Sequence, residues 1–116
     1  MEHALQKTIV AYLRRCNIFC FETDVMDGLK FCKNQQMRLA FINHHKAMGF
    51  VKGQSDLVLI TPSGQVVFVE LKDGKKGRHT KEQKQFKGIV EWYGLEYLLW
   101  RSFDDCVEYV KKIKKL

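Results

Sequence analysis

DLVLITPSGQVVFVELK, residues 56–72, reads as a β-hairpin. Two runs rich in β-branched and apolar residues, 57–61 and 66–71, are joined by Pro62-Ser63-Gly64. A three-residue hairpin loop is commonly a type I turn followed by a left-handed residue. Proline presets φ for the first turn position, and glycine accepts the left-handed one. The loop then closes with Thr61 opposite Gln65, and counting outward from Ser63 places Asp56 opposite Glu70. Side chains alternate along a strand, so Glu70 and Lys72 share a face. Asp56 joins them by parity, while Val67, Val69 and Leu71 point to the other side.

Downstream, Asp73-Gly74-Lys75-Lys76-Gly77 is a polar loop, and Thr80 can cap a helix over about 81–93. Gln83 stands three residues on, as in a capping box. Phe86, Ile89, Val90 and Tyr93 form the apolar stripe of this helix, and Gly94 ends it. Residues 95–101, with Tyr97, Leu98, Leu99 and Trp100, suit a buried strand. Ser102 or Asp104 starts a last helix with Val107, Val110 and Ile113 inward and lysines 111, 112, 114 and 115 outward. Trp92, Tyr93, Tyr97 and Trp100 are expected mostly in the core.

Upstream, Leu5, Ile9, Val10 and Leu13 fall at helical spacing, which predicts a helix over 3–15 that stops near Asn17. Residues 18–22 suit a short strand. Between 23 and 53 the pattern is irregular. Asp27-Gly28 marks a turn, and 31–33 and 38–42 look strand-like, so loops and short strands are expected there. The order is helix, strand, hairpin, helix, strand, helix. A strand-helix-strand unit with parallel strands requires a crossover, so the whole suits an α/β fold with a mixed central sheet flanked by helices.

The 116 residues are enough for one domain, 1–116, with one core. No apolar run approaches the roughly 20 residues of a membrane span. The start, Met1-Glu2-His3, lacks the pattern of a signal peptide, so a cytoplasmic location is expected. Cys16, Cys20, Cys32 and Cys106 are too few for a disulfide scaffold and read as reduced thiols. With His44 and His45 they match no compact zinc pattern. The net charge of +7 suits a polyanionic partner, because neutralising phosphates releases counterions, although solubility alone also explains a basic protein.

Asp56, Glu70 and Lys72 are the residues that can carry chemistry. Two carboxylates held close repel, and a divalent cation stabilises their ionised forms. Oxygen ligands of this kind suit magnesium or manganese. A lysine beside such an ion can act on the attacking water or on charge developing at phosphorus. The alternative from spacing alone is a cross-strand acid pair relieved by lysine as a surface salt bridge.

Gly53-x-x-Asp56, a hairpin, then Glu70-Leu71-Lys72 resembles the PD-(D/E)xK nuclease motif, and within that superfamily most resembles the VRR-NUC domains. The likeness extends to Glu2 and Gln6 on the first helix and to Gln83 on the helix after the hairpin. It implies a restriction-endonuclease-like core and a metal-dependent endonuclease acting on DNA. Asp56 and Glu70 resemble the metal ligands, with the carbonyl of Leu71 as a further one. Lys72 resembles the catalytic lysine, Gln83 the glutamine that orients the site, and Glu2 the first-helix acid that supports the metal through water. Glu2 alternatively reads as an exposed acid at a helix start. Ser55 stands where many members carry proline, a position that supplies no ligand. Stand-alone members resemble junction-resolving enzymes that work as symmetric pairs, which implies four-way, Holliday-like junctions. A flap, nick or restriction-like endonuclease is the alternative.

Lys75, Lys76, Arg78, Lys81 and Lys84, joined by Lys52, are expected to form a basic rim that holds DNA phosphates, with His79 and Lys87 beside them. A solvated loop and helix face is the other reading of these charges. Two further classes stay open: a non-catalytic nucleic-acid-binding module, and an interaction domain that kept the fold. The apolar content of 23–50, including Met26, Leu29, Phe31, Met37, Leu39, Phe41, Ile42, Met48 and Phe50, predicts a twofold homodimer interface.

Overall fold

The computed structural model describes residues 2–23, 26–72 and 78–114, without the side chains of Glu2, Met26 and Asp27. Helix α1, Glu2–Arg15, turns Ile9 and Leu13 fully into the core and ends on two arginines, which suit the negative end of the helix dipole. Asn17 takes φ 61°, a left-handed value that asparagine tolerates. The amides of Asn17 and Ile18 then reach back to the carbonyls of Arg14 and Leu13 at 3.1 and 2.9 Å. This reversal delivers Ile18 into the core and starts strand β1, Phe19–Glu22.

Strands β2, Leu57–Ile60, and β3, Val66–Leu71, form the expected hairpin, paired Leu57 to Val69 through Ile60 to Val66. Thr61 N–H donates to the Gln65 carbonyl at 2.9 Å, and Gly64 takes φ 86°. After helix α3, Lys81–Trp92, strand β4, Glu96–Trp100, lies parallel to β3. The sheet order is β1-β2-β3-β4, antiparallel at its first two junctions and parallel at the third. The expected mixed α/β sheet is therefore present.

One face carries the core. Leu57, Leu59, Val67, Val69, Leu71 and Trp100 pack there with Ile9 and Leu13 of α1 and with Cys106 and Val110 of helix α4, Phe103–Lys114. Each such aliphatic side chain contributes about 1.5–3 kcal/mol by leaving water. The other face meets α3 through Phe86, whose ring lies 5.6 Å from that of Phe68 and 6.2 Å from that of Tyr97. Among the described residues no helix is long and apolar enough to cross a membrane.

Two expectations are corrected. Residues 26–31 and 35–47 are helical, as a 3₁₀ helix Met26–Phe31 and helix α2, Gln35–Ala47, where loops and short strands were expected. Asn34 caps α2 by accepting from Met37 N–H at 2.8 Å, and the Gln-Gln-Met-Arg-Leu-Ala run that follows favours helix. The strand-like spacing misled because α2 has no buried residue, so no core face imposes a helical period on its sequence. Trp92 and Tyr93 are not core residues: they are 80% and 69% exposed and stack edge-on against each other. Only Phe86 and Val90 of the α3 stripe face inward, because α3 covers the sheet over β3 and β4 alone; Ile89 points out with Tyr93.

Candidate active site

The hairpin register, continued one step past Leu57 and Val69, sets Asp56 across from Glu70. Asp56 is half-buried, and its Oδ2 accepts from Leu71 N–H at 2.7 Å. Its own carbonyl accepts from Thr23 N–H at 3.1 Å, which ties the start of β2 to the end of β1. Glu70 is 3% exposed, and its Oε1 accepts from the Gln83 side-chain amide at 2.9 Å. Burial of a carboxylate is costly unless charge and hydrogen bonds compensate, and the Gln83 amide supplies one such bond to Glu70. Lys72, two residues along, is half-buried and anchored by its N–H to the Trp100 carbonyl at 3.0 Å.

Gln83 does two jobs. Its carbonyl oxygen accepts from Thr80 N–H at 2.9 Å while Thr80 Oγ1 accepts from Gln83 N–H at 3.1 Å, completing the capping box. The remaining amide nitrogen is thereby aimed at Glu70. Gly53 explains how α3 comes so close. A Cβ there would sit 2.3 Å from the Glu82 carbonyl carbon and 2.7 Å from Gln83 N, and Gly53 has φ 88°. Only a residue without a side chain lets the first turn of α3 pack on this loop. Ser55, at the position where proline is common in the nuclease motif, is buried and donates to the Leu57 carbonyl at 3.1 Å, so its hydroxyl is satisfied locally. Gln54 and Thr23 bind the same two loops together, Gln54 to the Thr23 carbonyl and Thr23 to the Ser55 carbonyl.

Tyr97 belongs to the site, although its sequence context reads as core. Its buried phenol lies beside Glu70 and Asp56, and burial followed by these two charges pushes its pKa well up. It stays a neutral O–H donor next to the acids. The His79 ring stands edge-on at 5.7 Å from Tyr97. Burial lowers the His79 pKa, and Lys87, Lys72, Lys84 and Arg101 lower it further. His79 Nε2 has no hydrogen-bond partner among the described residues. Parity on β4 puts Tyr97 on the Glu70 face, but that signal needs the β3–β4 register, which no local pattern supplies. Arg101 joins the cations around His79 and was missed for the same reason.

The two carboxylates fit a magnesium or manganese ion. Magnesium is commonly bound by one or two carboxylates and keeps several waters. Among the described residues no group of three His, Cys, Asp or Glu side chains could hold a metal. The backbone of Glu2 opens α1, but its side chain lies outside the described set, as do Lys75 and Lys76. Leu71, between Glu70 and Lys72 in the chain, has its side chain in the core. Of the basic rim, Arg78, Lys81 and Lys84 are exposed. Lys52 is exposed and pairs with Glu82 at 3.7 Å, which brings it to the first turn of α3.

No protein-family model matches the sequence, and no curated protein matches it. Solved structures do. One, a "VRR_NUC domain", is 16% identical with a TM-score of 0.67, over 95% of this chain and 94% of the other. A second, a "VRR_NUC domain protein", is 14% identical with a TM-score of 0.74, over 99% of this chain and 88% of the other. The chain has the fold of the VRR_NUC domain, as the resemblance of its motif implied.

Proposed function

We propose that this chain is a divalent-metal-dependent endonuclease that hydrolyses DNA phosphodiester bonds. One observation carries the reading: a buried glutamate, an aspartate opposite it in the register and a lysine two residues on stand at one end of the two central strands, with Gln83 fixing the glutamate. A salt bridge needs neither burial nor a dedicated orienting amide.

Asp56, Glu70 and the Leu71 carbonyl would hold magnesium or manganese, with Glu2 supporting through water. The ion, when bound, would polarise the phosphate and lower the pKa of the attacking water. Gln83 keeps the Glu70 carboxylate in one orientation. Lys72 supplies positive charge where negative charge builds at phosphorus. Lys52, Lys75, Lys76, Arg78, Lys81 and Lys84 hold the flanking phosphates. Such contacts position the backbone without reading sequence.

The substrate proposed is branched DNA, with four-way junctions first, cut by a homodimer in the cytoplasm. Twofold symmetry supplies two equivalent sites for two equivalent strands. The surface available for pairing is apolar: Phe31, Met37, Leu39 and Met48 are exposed on and beside the 3₁₀ helix and α2. Light scattering should give about twice the chain mass; a monomer at high concentration with and without DNA would favour flap or nick cleavage. A gel assay on four-way, flap, single-stranded and duplex DNA, with magnesium, manganese or chelator, tests the function. Metal-dependent cleavage with a preference for the junction is expected. Binding without cleavage under every metal condition would leave a nucleic-acid-binding module.

A further inference from the structure

Beside the acid pair, α1 and the edge strand β1 border an open groove of about 750 Å³. One wall is a stripe on α1. His3, Lys7, Val10 and Arg14 recur at steps of four, three and four residues, which is one face of a helix. Across from them stand Phe21 of β1 and Lys30 of the 3₁₀ helix, and Asp56 lines the same groove. Gln6 holds the nearby Glu22 carboxylate at 3.4 Å.

Lys7, Arg14 and Lys30 are all exposed, so their charge is available to a ligand. From Lys7 to Arg14 the helix advances about 10 Å. That covers about three steps of a stacked strand, whose phosphates advance about 3.4 Å each. Phe21 is 44% exposed and leans on Phe19, 62% exposed, with ring centroids 5.8 Å apart. Two bare aromatic rings on a sheet edge beside a cationic helix face make a surface for stacking bases and tracking a backbone. A duplex shows its bases only by their edges, within its grooves, and offers nothing to stack on Phe21. A single strand presents base faces and phosphates together.

We propose that this groove binds a single-stranded segment of DNA and leads it to Asp56. The arrival point rests on the nuclease reading, while the binding itself does not. In a branched substrate the strand would be an unpaired arm or a frayed crossover. The groove thus adds a selectivity for single-stranded character that the α3 rim, a set of phosphate holders, does not provide.

The test is fluorescence anisotropy in chelator, with a short labelled single strand and a blunt duplex, across a salt series. The double variant Lys7→Glu/Arg14→Glu changes two exposed side chains, and circular dichroism checks its fold. Its single-strand affinity should fall about tenfold or more and its duplex affinity about twofold or less. The slope of log affinity against log salt should drop by about 1.4, because each phosphate neutralised on a single strand accounts for about 0.7. Phe21→Ala should weaken single-strand binding several-fold with the slope unchanged. Lys111→Glu/Lys112→Glu on α4 makes the same change in net charge away from the groove and should show no such selectivity. Equal losses for both probes, or the same selective loss from the α4 variant, would overturn the proposal. Asp56→Asn separates the two readings: if it cleaves like the parent while the α1 variant still loses the single strand selectively, the placement of the cleavage site at Asp56 falls and the groove stands as a binding site.

Discussion

The Gln83 side chain donates to Glu70 Oε1 at 2.9 Å with its amide nitrogen while its carbonyl caps α3 at Thr80. One residue therefore sets both the start of a helix and the orientation of a buried acid. Gln83→Ala should lower turnover about 10- to 100-fold, the usual effect of losing a partner of a metal-binding carboxylate. Thr80→Ala is the control: it removes the hydroxyl cap, costs about 1 kcal/mol of stability, and keeps the amide on Glu70. Equal losses of activity in the two variants would reduce Gln83 to a capping residue.

Gly53 sets how near that helix can come. Gly53→Ala puts a methyl group into the Glu82 backbone and strains a positive φ, so α3 must shift away from β3. The expected result is a destabilisation of about 1–3 kcal/mol and a loss of manganese affinity. Thermal melting and metal titration of the same sample check both. Unchanged affinity would mean that Glu70 keeps its place without the close approach.

His79 should make stability depend on pH. Its pKa in the fold is lowered, by burial and then by Lys87, Lys72, Lys84 and Arg101, from an ordinary value of 6.5. The unfolded chain therefore binds the proton more readily. The contribution of His79 is fully present above about 6.5 and is lost as pH falls through the lowered folded value. Subtracting melting curves of His79→Asn from those of the parent should leave a difference that shrinks on acidification below that point. A difference that stays flat from about pH 5 to 7, the range in which histidine titrates, would contradict this environment for the ring.

Tyr97→Phe keeps the ring against Phe86 and removes only the hydroxyl beside the acids. Manganese should bind several-fold less tightly with the melting temperature little changed. Identical binding would leave Tyr97 a packing residue.

The hairpin was legible because its information is local. Pro62-Ser63-Gly64 specifies a turn, the turn specifies the register, and the register pairs Asp56 with Glu70. Gln83 was legible for a similar reason, since the capping box is a spacing. The segment 26–47 was not, because α2 buries nothing and its apolar residues report no core. Gly49 takes φ 107°, and the amides of Gly49 and Phe50 bond back to Lys46 and His45, which is a helix ending that the glycine could have signalled. Tyr97 and Arg101 reach the site through the parallel pairing of β3 with β4, a relation between strands separated by a whole helix. Tyr93 shows the converse: an aromatic residue at helical spacing in the α3 stripe is 69% exposed.

The central claim is that Asp56 and Glu70 together hold a divalent ion for DNA hydrolysis. Isothermal titration of manganese into the DNA-free protein, paired with junction cleavage by the same preparations, tests it most directly. Wild-type protein should bind the ion and cut; Asp56→Asn and Glu70→Gln should remain folded, bind it at least about tenfold more weakly and lose cleavage. Unchanged manganese affinity and full cleavage in either folded variant would contradict the claim.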